Sequence, residues 1–463
     1  VLTPDPDRPW ESHYTTSQSV IRNEDGSFRI WYASRTKPPF INKYFAINTA
    51  TWAGPEAADG RQAALPSGVE NIAEFADWKA KKREDLRRML GLPEEKVPLQ
   101  AEKRGEIALD RIVIEKWVYS SELGSRVSAV LYRPANSVAK TPGVVLTFGH
   151  GGSKSHPCYQ YIGQLYARLG ITCLVADPIG EEERHKDGRL GTRAHDPHAV
   201  HHQAWDAGRP MMGKLVWDTM RGIDFMLARD DVDANRIGVA GNSLGGAKAG
   251  WMAALDPRLR FAIVSGWAFD DVALRSKFCT RVPNEKMREM LTWHEYLLLS
   301  APQCRVLVTN GDADVIIDRD IDGSAWRGTQ AAVDVANAVT KQLGMPETIS
   351  TWLEPSGGHR PYPAHPEPVR WLLSTLDPNR PAVNLQSANF GTWCDQHNIA
   401  LERLYGTQLH LSGATVVERG IRYLQPDELA VLLPTERGTA EFTIEGWLDQ
   451  ITDSKSPQGK ATE

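Results

Sequence analysis

Nothing in this sequence approaches the roughly 18 consecutive apolar residues of a membrane-spanning helix, and no short apolar run follows a basic start. A soluble chain with no membrane partner is expected. Cysteine is scarce. Cys158, Cys173, Cys279, Cys304 and Cys394 form no Cys-x-x-Cys pair and are odd in number, which argues against a zinc ribbon or a dense disulfide framework. Cys173 and Cys304 read as small core residues, and one disulfide among the other three stays open. A large charge of one sign is missing too: 53 basic against 58 acidic residues leave −5, evenly spread. That gives no footprint for nucleic acid or an anionic surface. There is no internal repeat or low-complexity tract. The chain begins at Val1, so the compartment stays open between export or periplasm after a removed leader and the cytoplasm. Oligomeric state is equally open.

What is present is an ordinary globular composition, 41% hydrophobic and 24% charged over 463 residues. That length holds one large core with additions. An aromatic-rich run, Phe28–Ala33, follows the turn signal Asn23-Glu24-Asp25-Gly26 and predicts a small appended β-sheet or hairpin. A Gly/Pro-rich linker leads to a charged helix over about Glu70–Leu92, stopped at Gly91-Leu92-Pro93. Two period-2 stretches, Ile112–Val118 and Val127–Tyr132, predict an antiparallel hairpin.

The pattern then changes in kind. Gly143–Phe148, Ile171–Ala176, Ile237–Ala240, Phe261–Val264 and Arg305–Thr309 are short, nearly all-apolar runs, as strands buried on both faces would be. Helix-length segments separate most of them. The prediction is an α/β fold with a mainly parallel sheet flanked by helices. The divisions expected are a β-rich extension and linker at 1–68, a catalytic domain at 69–380 and a C-terminal extension of unassigned role at 381–463.

Gly241-Asn242-Ser243-Leu244-Gly245-Gly246 follows one such strand and precedes the helical stretch Ala247–Leu255. This context fits a nucleophile elbow, where a serine sits on a sharp strand-to-helix turn that admits only small neighbours. A bare Gly-x-Ser-x-Gly occurs often by chance; the buried strand before it and the helix after it make this match specific. Serine needs a base, and the base needs a carboxylate to hold its tautomer. Downstream, Asn310-Gly311-Asp312-Ala313-Asp314 offers the acid, with Asp314 preferred, Asp312 second and Asp318 third. Glu354–His359 is a Gly-containing loop able to deliver His359, with His365 as its competitor.

An oxyanion needs two donors. The N–H of Leu244 would be one, and His150-Gly151-Gly152-Ser153 after a predicted strand would supply the other from Gly151 or Gly152. His150, Trp205 and Arg209 are expected to line the substrate site, beside Met211-Met212. His195, Asp196, His198, His201 and His202 raise the question of a metal, but their spacing matches no regular zinc pattern, so a solvated or site-lining loop is expected.

On these residues the chain resembles the dienelactone-hydrolase and acetyl-xylan-esterase-like branch of the α/β-hydrolases. The resemblance covers about residues 75–378 and rests on the Leu86–Pro93 helix end, His150-Gly151-Gly152, Asp177-Pro178-Ile179-Gly180, Asp233–Gly238, the elbow and Gly358-His359. It implies a Ser-His-Asp triad acting on carboxylic esters, often acetylated carbohydrates, with no metal and no organic cofactor. Dienelactone hydrolases proper carry cysteine where this chain has Ser243, and glucuronoyl esterases carry Arg and Asn where it has Leu244 and Gly245. A serine peptidase of prolyl-oligopeptidase type and a non-catalytic carbohydrate-binding protein on the same fold are the competing expectations.

Overall fold

The computed structural model describes residues 14–22, 28–35, 46–52, 64–137, 139–271, 290–381, 384–400 and 413–453. The turn signal at 23–26 and Cys279 lie outside them. The chain divides into two compact units, Val1–Ala64 and Leu65–Glu463. The first carries a three-stranded antiparallel sheet, β1 (Tyr14–Arg22), β2 (Phe28–Arg35) and β3 (Ala46–Trp52), in that order.

In the second unit, helix α1 (Ile72–Met89) starts where Asn71 accepts hydrogen bonds from Ala73 N and Glu74 N. A nine-stranded sheet follows. Its strands are β4 (Glu102–Leu109), β5 (Ile112–Glu122), β6 (Ser125–Pro134), β7 (Thr141–Thr147), β8 (Thr172–Ala176), β9 (Val232–Asn242), β10 (Phe261–Ser265), β11 (Arg305–Gly311) and β12 (Ile349–Glu354). They are arranged β12-β11-β10-β9-β7-β8-β6-β5-β4. Pairings from β8 through β7, β9, β10 and β11 to β12 are parallel; those joining β4, β5, β6 and β8 are antiparallel. This is the α/β-hydrolase fold.

The apolar runs occupy the centre, as expected: every residue of β7 and β10 is buried. The hairpin β5–β6 departs from its predicted alternation. It is buried along most of its length because the sheet is covered on both faces there, by helices α2 (Pro157–Arg168) and α4 (Met211–Leu227) among others. Between them in sequence lies α3 (His198–Asp206). Helices α5 (Leu244–Leu255), α6 (Trp293–Leu298), α7 (Ser324–Gln342) and α8 (Pro366–Leu376) complete the αβ alternation.

The C-terminal segment packs into the same core. It comprises β13 (Ser387–Asn389), α9 (Phe390–Gln396), β14 (Ala414–Val416) and α10 (Ile444–Asp453). Phe390, Cys394, Val416, Leu424, Val431 and Phe442 join the cluster around Tyr161, Leu165 and Tyr166. Cys158, Cys173, Cys304 and Cys394 are free thiols.

A buried ionic network anchors that segment. Lys154, fully buried, reaches Asp177 (2.7 Å), Glu182 (2.5 Å) and Glu183 (2.9 Å). The Glu183 carboxylate in turn accepts hydrogen bonds from the backbone N–H groups of Val431 and Leu432. The surrounding carboxylates hold the Lys154 pKa above its ordinary value although burial opposes this. Removing the cation by Lys154→Met leaves three buried carboxylates uncompensated. It is expected to cost about 3–5 kcal/mol, read as a lower urea midpoint.

His156 caps α2 by accepting from Cys158 N at 3.1 Å, and burial pushes its pKa down to about 3. Below the unfolded value of about 6.5, the unfolded chain binds a proton that the native one refuses. Stability therefore falls as the pH drops below that value, by up to about 1.4 kcal/mol per unit. His156→Asn keeps a capping oxygen but does not titrate, so stability measured between neutral and mildly acid pH should show a shallower slope.

Candidate active site

Strand β9 ends and α5 begins at Ser243, whose backbone sits at φ 60°, ψ −124°. That is a costly conformation for a residue with a Cβ, on the order of 1–3 kcal/mol, and the close packing around it imposes the turn. A Cβ on Gly241 would collide with Thr147 Oγ1 and Gly245 O; one on Gly245 would strike Thr147 O; one on Gly246 would strike Ser265 O. Glycine at these positions lets β7, β9, β10 and α5 converge at one point. Ser243 N donates to Ser265 O (2.9 Å), and Ala247 N to Ser243 O (3.0 Å).

Two loops meet the elbow from the ends of β11 and β12. The Asp314 side chain is wholly buried: Oδ1 accepts from Ile316 N (2.9 Å) and Ile317 N (3.3 Å), while Oδ2 accepts from His359 Nδ1 at 2.7 Å. A carboxylate only accepts here, so Nδ1 is the donor. The loops are tied together by Ala313 N to Gly357 O (2.9 Å) and Asp312 N to Glu354 O (3.1 Å), and Tyr362 Oη donates to Gly358 O (2.9 Å). A Cβ placed on Gly266 would lie 2.8 Å from Ser243 N and 3.0 Å from His359 Cε1. The imidazole therefore stands directly beside the elbow.

Two of the rival residues are engaged elsewhere. Asp312 is exposed and accepts from Ser356 N (2.6 Å). His365 caps α8 through Glu367 N and pairs with Glu354 at 3.3 Å. Asp318 is placed one turn beyond Asp314, its backbone N–H bonded to Asp314 O.

The loop after β7 closes on the elbow from the other side. A Cβ on Gly149 would sit 3.1 Å from Ser243 Cβ, and Gly149 N donates to Tyr159 Oη (2.8 Å). Gly152 N is used within the loop, on Gly149 O (3.1 Å). Gly151 stands in the same loop at φ 72°. Leu244 is the first residue of α5, where backbone N–H groups have no intrahelical acceptor.

Expected pocket residues fare unevenly. His150 lies in this loop, with Nε2 3.1 Å from Asp196 Oδ1. Trp205 is half-buried on α3. Arg209 is committed to structure: it donates to Glu122 (2.6 Å) and lies over the Trp447 ring of α10. Sequence reasoning missed Tyr159 and Asn310. The Asn310 side-chain amide accepts from Trp267 N (3.1 Å) and donates to Trp267 O (3.0 Å), fixing the Gly266 turn beside Ser243.

Residues 93–269 match the family model for acetyl xylan esterase (AXE1), a segment that holds the elbow and the His150 loop but ends before Asp314 and His359. Among curated proteins, the chain is 25% identical over 196 residues to "Putative hydrolase YtaP" of Bacillus subtilis (strain 168), covering 40% of this chain. The match spans 63% of that protein, less than two thirds of its length. Among solved structures, "Methylesterase BT1017" superimposes with a TM-score of 0.57 at 16% identity, over 96% of this chain and 85% of that one. The chain thus has the α/β-hydrolase fold, and its segment 93–269 resembles the acetyl xylan esterase family.

Proposed function

We propose that the protein is a serine carboxylic-ester hydrolase working through an acyl-enzyme, with short-acyl esters, above all acetyl groups on carbohydrate, as substrates. The observation that carries this reading is the buried 2.7 Å contact from His359 Nδ1 to Asp314 Oδ2, placed beside a strained serine at a strand-to-helix turn. The acetyl preference draws on the family match alone.

In this scheme Ser243 Oγ attacks the ester carbonyl as its proton passes to His359 Nε2. Asp314 steadies the imidazolium that forms. The N–H groups of Leu244 and Gly151 receive the oxyanion. Collapse expels the alcohol, which takes the proton from His359 and leaves the acyl group on Ser243. Water then attacks the acyl carbon as its proton passes to His359, and collapse releases the acid while Ser243 Oγ takes that proton back. The residues used come from the chain itself, and no cofactor enters.

Hydrolysis of acetyl, butyryl and longer nitrophenyl esters and of acetylated xylan tests the proposal. Ser243→Ala should lower kcat by about 10⁴–10⁶. Asp314→Asn should lower it by about 10⁴, since the amide favours the wrong tautomer, while Asp312→Asn stays within a few-fold. Equal losses at Asp312 and Asp314 would contradict the assignment, and faster turnover of peptide amides than of esters would move the substrate class.

A further inference from the structure

Beside the Ser243 elbow, the loop after β7 meets a second loop that sequence spacing did not connect with it. His150 Nε2 stands 3.1 Å from Asp196 Oδ1, and His195 Nε2 stands 3.7 Å from the same oxygen. The two imidazoles lie nearly parallel, 20° apart, with centroids separated by 5.9 Å. One donor atom from each of the three residues falls within 4.8 Å of the other two. Bonds of about 2.0–2.1 Å to a tetrahedral ion would set such atoms about 3.3–3.5 Å apart. The two edges at Asp196 Oδ1, 3.1 and 3.7 Å, bracket that spacing.

His195 supplies an independent pointer. It is 1% exposed, and neither ring nitrogen has a hydrogen-bond partner. An imidazole buried without partners is expensive and calls for an explanation. The loop is built to hold it: the Glu181 carboxylate accepts from Arg193 N (2.6 Å) and Thr192 N (3.0 Å), and Asp196 N donates to Arg193 O (2.8 Å). Asp196 is partly exposed, which gives an ion a route in.

We infer that His150, His195 and Asp196 form a site for one divalent transition-metal ion of the zinc type. Two imidazoles and a carboxylate suit such an ion and leave a further position for water or a ligand oxygen. The ion would clamp the His150-Gly151 loop to the 192–196 loop and so fix the backbone beside Ser243. His198 and His202 are a different matter. They face each other on the exposed side of α3, Nε2 to Nε2 at 3.0 Å, and an i,i+4 pair of this kind can take up zinc by itself.

The test uses tag-free, chelator-stripped full-length protein in a His198→Ala/His202→Ala background at mildly alkaline pH. Zn²⁺ is titrated calorimetrically, with thermal melting in parallel. One equivalent should bind, and the melting midpoint should rise with free Zn²⁺. Asp196→Asn and His195→Gln should each weaken binding on the order of 100-fold; Asp196→Asn, at a partly exposed position, still reports if the buried His195 variant fails to fold. Ser243→Ala should bind Zn²⁺ unchanged, which separates the outcome from that of the ester-hydrolase reading. Absence of binding in the double-alanine background, or binding that survives Asp196→Asn undiminished, overturns the inference.

Discussion

The geometry around Ser243 depends on one steric constraint, the convergence of three strand ends and a helix start on a space too small for side chains. Gly241, Gly245 and Gly246 each lie where a Cβ would meet backbone or side-chain oxygen from β7, α5 or β10. The chain can leave β9 and enter α5 there only through a sharp turn, and the turn places a non-glycine residue at positive φ. The strain at Ser243 is offset by the bonds to Ser265 O and from Ala247 N, and by close packing of the whole sheet centre.

Those loops are rigid for a related reason. Asp314 is locked by backbone donors on one oxygen and by His359 on the other, and the acid and histidine loops are hydrogen-bonded to each other. A Cβ on Gly311 would run into Gly357 O, so glycine at 311 is what lets the two loops come this close. Tyr159 does similar work for the loop after β7, and Asn310 for the Gly266 turn. Each is a polar side chain spent on backbone rather than on substrate, which is how a loop-borne site acquires fixed positions.

Much of this was legible in the sequence because it is local. A buried strand, three glycines and a helix lie within one stretch around Ser243, and the apolar runs announced the central parallel strands. Long-range choices were not legible. Asp312 and Asp314 stand two residues apart in one loop, and only the fold shows which carboxylate turns inward to His359 and which meets Ser356. Arg209 looked like a pocket residue because its partners, Glu122 and Trp447, are remote in the chain. The C-terminal segment gave no periodic signal because its contribution to the core comes through scattered residues, and because much of its anchoring is backbone N–H bonding to Glu183. His150 and His195 belong to separate βα loops, so their approach is a property of the sheet order.

The central claim is that Ser243 is the residue that acquires the acyl group. It is tested most directly by reacting the protein with a fluorophosphonate, digesting it and locating the adduct by mass spectrometry. The account predicts a single stoichiometric adduct on the peptide containing Ser243, absent from Ser243→Ala. Stoichiometric labelling at another residue, or labelling that persists in Ser243→Ala, would contradict it.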